Sequence, residues 1–278
     1  MPPVDLLALT LTLTPLPAAE EKTPRGGTPR WWGRAAHALL LDAVRCLDAP
    51  LAEQLHGESA PRPFTVSNLL GRFAQGLPVP DLRYTLRFTS LGEQLCAVLI
   101  QTAAPQGALC PGAQVELDYL PFRIEQAQLQ PASFQDLAAA RLVSAAAPPR
   151  RVSLRFLSPT AFHSQERTQP LPLPDLVFGS LLERWNSFAP LAFPAEFRRY
   201  AAECLALSRF NLSSRRAELK GGGVRIGAVG DATYTALTYD RYWMGILHTL
   251  AGFARFSGVG AGTSMGLGQC EELLAEEE

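Results

Sequence analysis

The side chains of this 278-residue sequence best suited to proton transfer near neutral pH are its four histidines, at positions 37, 56, 163 and 248. Imidazole has an unperturbed pKa of about 6.5, so both of its protonation states are accessible at physiological pH. His56 precedes the segment "GESAP", whose composition predicts an exposed turn, and active-site groups are common at such positions. We therefore favour His56 as the acid or base. The alternative is an exposed histidine at a helix C-terminus, where the helix dipole stabilises its charge.

The other three histidines are weaker candidates. His37 shares a helical face with Leu40 and Val44, which favours a satisfied, partly buried side chain over a catalytic role. His163 follows a predicted strand and could contact a ligand. His248 lies on the polar side of its helix, where we expect it to be solvated.

Arginine supplies nearly all of the positive charge, since Lys22 and Lys220 are the only lysines. Arg62 lies six residues after His56, and we assign it stabilisation of an anionic transition state. Further arginines lie on predicted strands, where the alternative is a solvated sheet edge. Arginine is well suited to bidentate phosphate contacts, so we predict phosphate binding by this group: Arg151, Arg155, Arg215, Arg216 and Arg225.

The segment "GVGAGTSMGLGQC" near the C-terminus has five glycines in eleven residues. It has no lysine before its Thr or Ser, which excludes a Walker A loop. It follows a helix and precedes a strand, the reverse of a dinucleotide-binding fingerprint. We expect chain geometry to require only two or three of these glycines, and the rest to let phosphate approach main-chain N–H groups. The predicted contacts are Gly258, Gly260, Thr263, Ser264, Gly266 and Gly268, with the two hydroxyls of lesser weight.

Composition excludes several classes of protein. The chain is 47 % hydrophobic, enough for a substantial core, and its net charge is −1, which does not by itself indicate a nucleic-acid binder. Its five cysteines are dispersed without a CxxC pair, which favours reduced thiols in the cytoplasm and predicts no metal site or cofactor. No apolar run approaches the roughly 20 residues that span a membrane, and the alternating N-terminus is not typical of a signal peptide.

The elements that must position these residues follow one pattern twice. Apolar spacing in the first half predicts the order β-α-β-β-α-β, beginning with the alternating strand "LALTLTLTPL". A low-complexity segment over residues 138–149 predicts a linker. The second half repeats the order from "RRVSLRFLSPTAF" onward. We therefore predict an α+β protein of two tandem ferredoxin-like domains, residues 1–140 and 150–278.

The glycine segment also resembles a known family. The pattern Gly-x-Gly, five residues, then Gly-hydrophobic-Gly is typical of CRISPR-associated repeat-RNA-processing endoribonucleases of the repeat-associated mysterious protein (RAMP) superfamily. Gly258, Gly260, Gly266, Leu267 and Gly268 fill it in register. "LRFLSPTAF" resembles the first strand of that family's second domain, and "LHGESAPRPFTVSNLL" the segment that follows its first helix. The family has two ferredoxin-like domains.

The resemblance implies a metal-independent endoribonuclease that cleaves CRISPR repeat RNA in a precursor transcript to give guide RNAs. Attack of a 2′-OH on the adjacent phosphate would leave a 2′,3′-cyclic phosphate and a 5′-OH. The resemblance implies His56 as the catalytic histidine, with Arg62 where some relatives carry a lysine. The partner of the glycine segment and the arginines would then be RNA, and other subunits of a CRISPR effector complex are further candidate partners.

Two departures from the family pattern leave a rival interpretation open. Ala261 and Gly262 stand where a basic residue is common, and Leu41 lies near the place of a tyrosine that assists catalysis in some relatives. The rival is a non-catalytic RNA-binding subunit of a CRISPR effector complex.

Overall fold

The computed structural model describes residues 4–17, 31–57, 61–74, 77–164, 167–218 and 223–273. The chain divides into two compact units. The first contains Met1–Pro131 and Ser264–Gly266, and the second contains Ala132–Thr263 and Leu267–Glu278. A short segment near the C-terminus thus groups with the first unit, whereas the residues on either side of it group with the second.

The first unit is a sheet with helices. Its strands are β1 (Leu6–Pro15), β2 (Phe64–Val66), β3 (Phe73–Ala74), β4 (Leu77–Pro78), β5 (Tyr84–Leu91), β6 (Gln114–Leu117) and β7 (Leu120–Ala132); its helices are α1 (Gly33–Arg45), α2 (Ala49–Gly57) and α3 (Glu93–Ala103). Five strands form one sheet in the order β2-β5-β1-β7-β6. The four strands of a ferredoxin-like sheet are β2, β5, β1 and β7 in this order, and β6 extends the edge.

Strand β1 is central to that sheet. Leu9, Leu11 and Leu13 are fully buried, while Thr10 and Thr12 are half-buried. This is the alternation that the sequence predicts for a strand with one apolar face. The buried leucines lie beside the apolar residues of β5, with Leu9 opposite Phe88.

The second unit repeats the arrangement. Its strands are β8 (Arg151–Thr160), β9 (Phe162–Ser164), β10 (Arg167–Gln169), β11 (Leu205–Glu218), β12 (Val224–Ala236) and β13 (Cys270–Leu273); its helices are α4 (Phe134–Leu142), α5 (Pro174–Phe188), α6 (Phe197–Cys204) and α7 (Arg241–Ser257). The main sheet has the order β11-β12-β8-β13. The predicted pair of ferredoxin-like folds is therefore confirmed.

Aromatic residues form the centre of the second unit. Trp185 stacks on Phe193 with ring centroids 4.7 Å apart and meets Phe134 and Phe253 edge to face. Such pairs add stabilisation beyond their buried area. The packing of these rings ties α4, α5 and α7 together.

Two expectations about this unit need correction. The first part of the segment predicted as a linker is helical, because Ser133 caps α4 by accepting a hydrogen bond from the Asp136 N–H, and α4 packs on α7 within the second unit; residues 143–149 form neither helix nor strand. His248 is buried rather than solvated, since its Nε2 lies 2.9 Å from the Pro149 carbonyl oxygen and its Nδ1 faces Glu272 of β13. Neighbouring elements cover the face of α7 that its own sequence would leave to solvent.

In the described part of the chain, no helix combines the length and the apolar character that crossing a membrane requires.

Candidate active site

Helix α1 places His37 on its buried face. The helix buries Ala36, Leu40 and Val44 along with His37, whose exposed fraction is 7 %. The imidazole lies 5.4 Å from the ring of Phe64 on strand β2, centroid to centroid. As the helical spacing predicts, His37 is a largely buried histidine with partners.

Those partners fix its tautomer. The Nδ1 atom of His37 lies 2.8 Å from the Ser264 carbonyl oxygen, which can only accept a hydrogen bond. Nδ1 therefore carries the proton, and in the neutral ring Nε2 has the lone pair. Arg62 approaches that atom, with 3.3 Å between its Nη1 and Nε2. The basic nitrogen of His37 thus lies beside a permanent cation.

The surroundings keep this ring neutral. Burial is the largest influence on the pKa of His37 and lowers it, while the hydrogen bond to Ser264 acts in the opposite direction. The charges of Arg62 and His56 lower the pKa further. Because the net shift is downward from about 6.5, His37 is unprotonated at neutral pH and can accept a proton.

Arg62 connects the two candidate histidines. Its Nη2 lies 3.4 Å from the main-chain oxygen of His56, and its guanidinium carbon is 5.9 Å from the centre of the Phe64 ring. His56 itself is exposed near the end of α2. The structure therefore brings all three predicted catalytic residues together, with His37 buried, His56 open to solvent and Arg62 between them.

The glycine segment completes this site. Trp31 donates from Nε1 to the Met265 carbonyl oxygen at 2.8 Å, and Gly266 bridges in parallel to Ser67. A Cβ on Gly33 would overlap the Met265 carbonyl, so the segment approaches the start of α1 as closely as a backbone can. Sequence reasoning could not find this contact of His37, because Ser264, the residue that orients the ring, lies 227 positions away.

The expectation about the glycines themselves is wrong. All five, at positions 258, 260, 262, 266 and 268, have positive φ, between 62° and 86°. At Gly260 a Cβ would also lie 2.5 Å from the Ala161 carbonyl oxygen. Chain geometry therefore accounts for the whole set, and none is left over for ligand access alone.

The expected mode of phosphate binding is also wrong at several positions. Gly258 donates to the Ala254 carbonyl, Gly260 to the Ser180 hydroxyl and Gly268 to the Pro159 carbonyl. These N–H groups already donate to acceptors inside the protein. Thr263 is buried, and its hydroxyl accepts a hydrogen bond from Arg184 at 2.8 Å. RNA contact by this segment stays a prediction, but its physical basis must lie elsewhere.

The predicted phosphate-binding arginines differ in their availability. Arg155 forms a two-pronged ion pair with Asp231, with N–O distances of 2.8 and 2.9 Å. Arg151 lies four residues before it and so projects from the same face of β8. Arg215 and Arg216 are consecutive on β11 and project from opposite faces, and Arg225 lies on β12. RNA binding by these residues stays a prediction.

A surface groove of about 690 Å³ opens beside His37. Arg34, Asp42, Asp118 and Tyr119 line it, so it presents both signs of charge and an aromatic ring. Burial raises the pKa of Asp118, which Arg34 partly offsets. Within the described ranges, no group of three or more His, Cys, Asp or Glu residues is arranged to hold a metal ion.

Comparisons with known proteins bear on this site. The family model for the CRISPR-associated endoribonuclease Cas6 matches residues 154–270, a range that includes the glycine segment. The curated Cas6 of Mycobacterium tuberculosis (strain H37Rv) is 33 % identical over 135 residues, covering 46 % of this chain and 41 % of the relative. The aligned part of the chain thus spans less than half the length of the curated relatives it matches.

Solved structures match over nearly the whole chain. The Cas6 (TTHB231) product complex, from a Thermus thermophilus protein, has a TM-score of 0.76 at 26 % identity, covering 97 % of this chain and 100 % of that one. The Cas6 (TTHA0078) product complex has a TM-score of 0.73 at 27 % identity, covering 97 % and 99 %. A Cas6-related protein from Pyrococcus furiosus, 12 % identical, shares the fold with a TM-score of 0.60.

The family model and the curated relative belong to one class of protein, the CRISPR-associated endoribonucleases. Within that class the chain is similar to the CRISPR-associated endoribonuclease Cas6, and the resemblance inferred from the glycine segment is confirmed.

The geometry at Gly260 predicts a loss of stability. A side chain there would clash with the Ala161 carbonyl and would hold an L-residue at a φ of 75°. We expect Gly260→Val to lower the free energy of unfolding by about 2–4 kcal/mol, measured by chemical denaturation. Gly252→Ala on α7 is the control, since an added Cβ there meets only ordinary contacts. A stable Gly260→Val protein that has lost RNA affinity would contradict this account.

Proposed function

We propose that this chain is an endoribonuclease that cleaves CRISPR repeat RNA in a precursor transcript to give guide RNAs. The observation that carries the proposal is the pair of contacts made by the His37 ring. Its Nδ1 donates a hydrogen bond to the Ser264 carbonyl oxygen, and its Nε2 lies next to the Arg62 guanidinium. A neutral base beside a cation is what transesterification of RNA requires. The similarity to Cas6 proteins, some of them solved as product or substrate-mimic complexes, supports the same conclusion.

Each of the three residues has a distinct role in the proposed mechanism. His37 Nε2 takes the proton from a 2′-OH, and the freed oxygen attacks the adjacent phosphorus. Arg62 stabilises the extra negative charge on the phosphorane. His56, which is exposed to solvent, gives a proton to the departing 5′-oxygen. The products are a 2′,3′-cyclic phosphate and a 5′-OH, and no metal ion takes part.

This assignment modifies the first interpretation of the histidines. His56 was favoured over His37 because it precedes a turn and was expected to be exposed, and the proposed mechanism gives His56 the role of the acid. His37 has the lowered pKa and the fixed tautomer that a base needs. The rival function, a non-catalytic RNA-binding subunit, gives no reason to hold a neutral histidine against a cation.

Incubation of the purified chain with repeat RNA in EDTA tests the function. We expect cleavage at one position, with a 2′,3′-cyclic phosphate detected by mass spectrometry, because the chemistry uses side chains alone. A single 2′-deoxy substitution at the scissile nucleotide should abolish the reaction and leave binding intact. Tight binding without cleavage would favour the rival function, and cleavage only with added Mg²⁺ would contradict the mechanism.

Replacement of His37 tests its role as the base. We expect His37→Gln to lower the single-turnover rate by about 10²- to 10⁴-fold, with little change in RNA affinity, since glutamine keeps a donor for Ser264 but has no titratable nitrogen. His56→Ala should fall in the same range through loss of the acid. His163→Ala, which removes an exposed histidine on β9, is the matched control. Normal cleavage by His37→Gln would remove His37 from the mechanism.

The pH dependence tests the electrostatics of the pair. Because the pKa of His37 is lowered, the neutral base persists below pH 6.5 and is lost only as the pH falls through the lowered value. The acidic limb of the rate profile should therefore lie below about 6.5. Arg62→Ala removes one cause of the lowering, so the limb should move to higher pH, whereas Arg62→Lys should leave it nearly in place. An acidic limb unmoved by Arg62→Ala would show that Arg62 does not act on this histidine.

A further inference from the structure

Arg184 of α5 is a buried cation beneath the glycine segment. Its exposed fraction is 7 %. Its Nη2 donates to the Thr263 hydroxyl at 2.8 Å and lies 3.4 Å from the Gly260 carbonyl oxygen. Its Nη1 is buried without a hydrogen-bond partner. All of these residues belong to the second unit.

This arrangement is unfavourable for folding. In the part of the chain that the structure describes, no carboxylate forms a salt bridge with Arg184, although its neighbour Glu183 acts on it electrostatically. Burial lowers the pKa of Arg184 to about 10, so the group remains charged at neutral pH. A buried charge that lacks a counter-ion and one hydrogen bond is costly.

A buried charge whose cost is only partly offset by hydrogen bonds indicates a functional requirement beyond the turn that it holds. The glycine segment has no lysine or arginine between Gly258 and Gly268. Several of its own N–H groups donate inside the protein, as at Gly260, whose N–H is held by Ser180. Arg225 approaches the segment from β12, with its Nη1 3.1 Å from where a Cβ on Gly262 would lie. Arg184 is the buried positive charge that hydrogen-bonds to the segment itself, and a charge in a low-dielectric interior acts strongly on its surroundings.

We propose that Arg184 is a positioning residue for RNA: it fixes the Gly260–Thr263 turn and supplies, from below, the positive charge that draws an RNA phosphate to that turn. The proposal rests on the proposed function, since it assumes RNA as the ligand. It assigns a role to a residue that lies outside the predicted contacts and is buried rather than displayed on the surface.

The test is Arg184→Met, with thermal midpoint and RNA affinity measured on the same protein. Repeat RNA with a 2′-deoxy scissile nucleotide serves as the probe, so that cleavage does not disturb the binding curve. We expect the midpoint to hold or rise, because an unpaired buried charge is removed, and the dissociation constant to increase by about tenfold. Arg199→Met, the same substitution at an exposed site on α6, should change neither.

Two further variants separate charge from packing. Arg184→Lys keeps the charge but not both contacts, and it should bind RNA more tightly than Arg184→Met. The double variant Arg184→Met/Thr263→Val also removes the hydroxyl that loses its donor, and it provides the stability measurement should the single variant fold poorly. If the charge of Arg184 serves RNA binding, Arg184→Met should keep or raise the thermal midpoint and at the same time lower the affinity for RNA.

Three outcomes would overturn the inference. A lower midpoint with normal affinity of the folded fraction would make Arg184 purely structural. Unchanged affinity with a higher midpoint would leave it without a role in RNA binding, while cleavage by the wild-type protein would keep the proposed function intact. Failure of the wild-type protein to bind repeat RNA at all would remove the proposed function and this inference together.

Discussion

The hydrogen bond from His37 to the Ser264 carbonyl is the interaction on which the site depends. A main-chain oxygen accepts and never donates, so it allows only one neutral tautomer of the ring. That choice leaves the lone pair on the nitrogen that faces Arg62. The glycine segment must therefore bring one carbonyl to one place, and its left-handed backbone is what permits the approach. The need to place the Ser264 carbonyl explains why the segment is rich in glycine, without any contact with RNA.

Environment separates residues of the same type into different roles. His37 and His56 act on each other electrostatically, yet one is enclosed and the other is open to solvent. Arg184 and Arg155 differ in the same way, since Arg155 has a bidentate carboxylate partner and Arg184 has a buried nitrogen with none. Side-chain chemistry sets what a residue can do, whereas desolvation and neighbouring charge decide what it does.

Local patterns in the sequence predicted the fold well and the site in part. The alternation of apolar residues in β1 and their helical spacing in α1 are short-range patterns, and the residues that they predict to be buried are buried in the structure. His56 and Arg62 were proposed from their position relative to one another, and their catalytic role stays a prediction. The contact between His37 and Ser264 could not be predicted because the two residues are remote in sequence, and the burial of His248 was missed because α4 and β13 cover it. Tertiary contacts of this kind leave no trace in local periodicity.

The grouping of Ser264–Gly266 with the first unit has a consequence for the order of synthesis. A chain leaving the ribosome can form most of that unit's sheet early, because β1, β2, β5 and β7 all lie within the first 132 residues. His37 and Arg62 are then present, but the carbonyl that orients the imidazole does not yet exist. The histidine acquires its fixed tautomer only when residue 264 has emerged and the long-range contact has closed. A nascent chain therefore carries the residues of the site well before it carries the site.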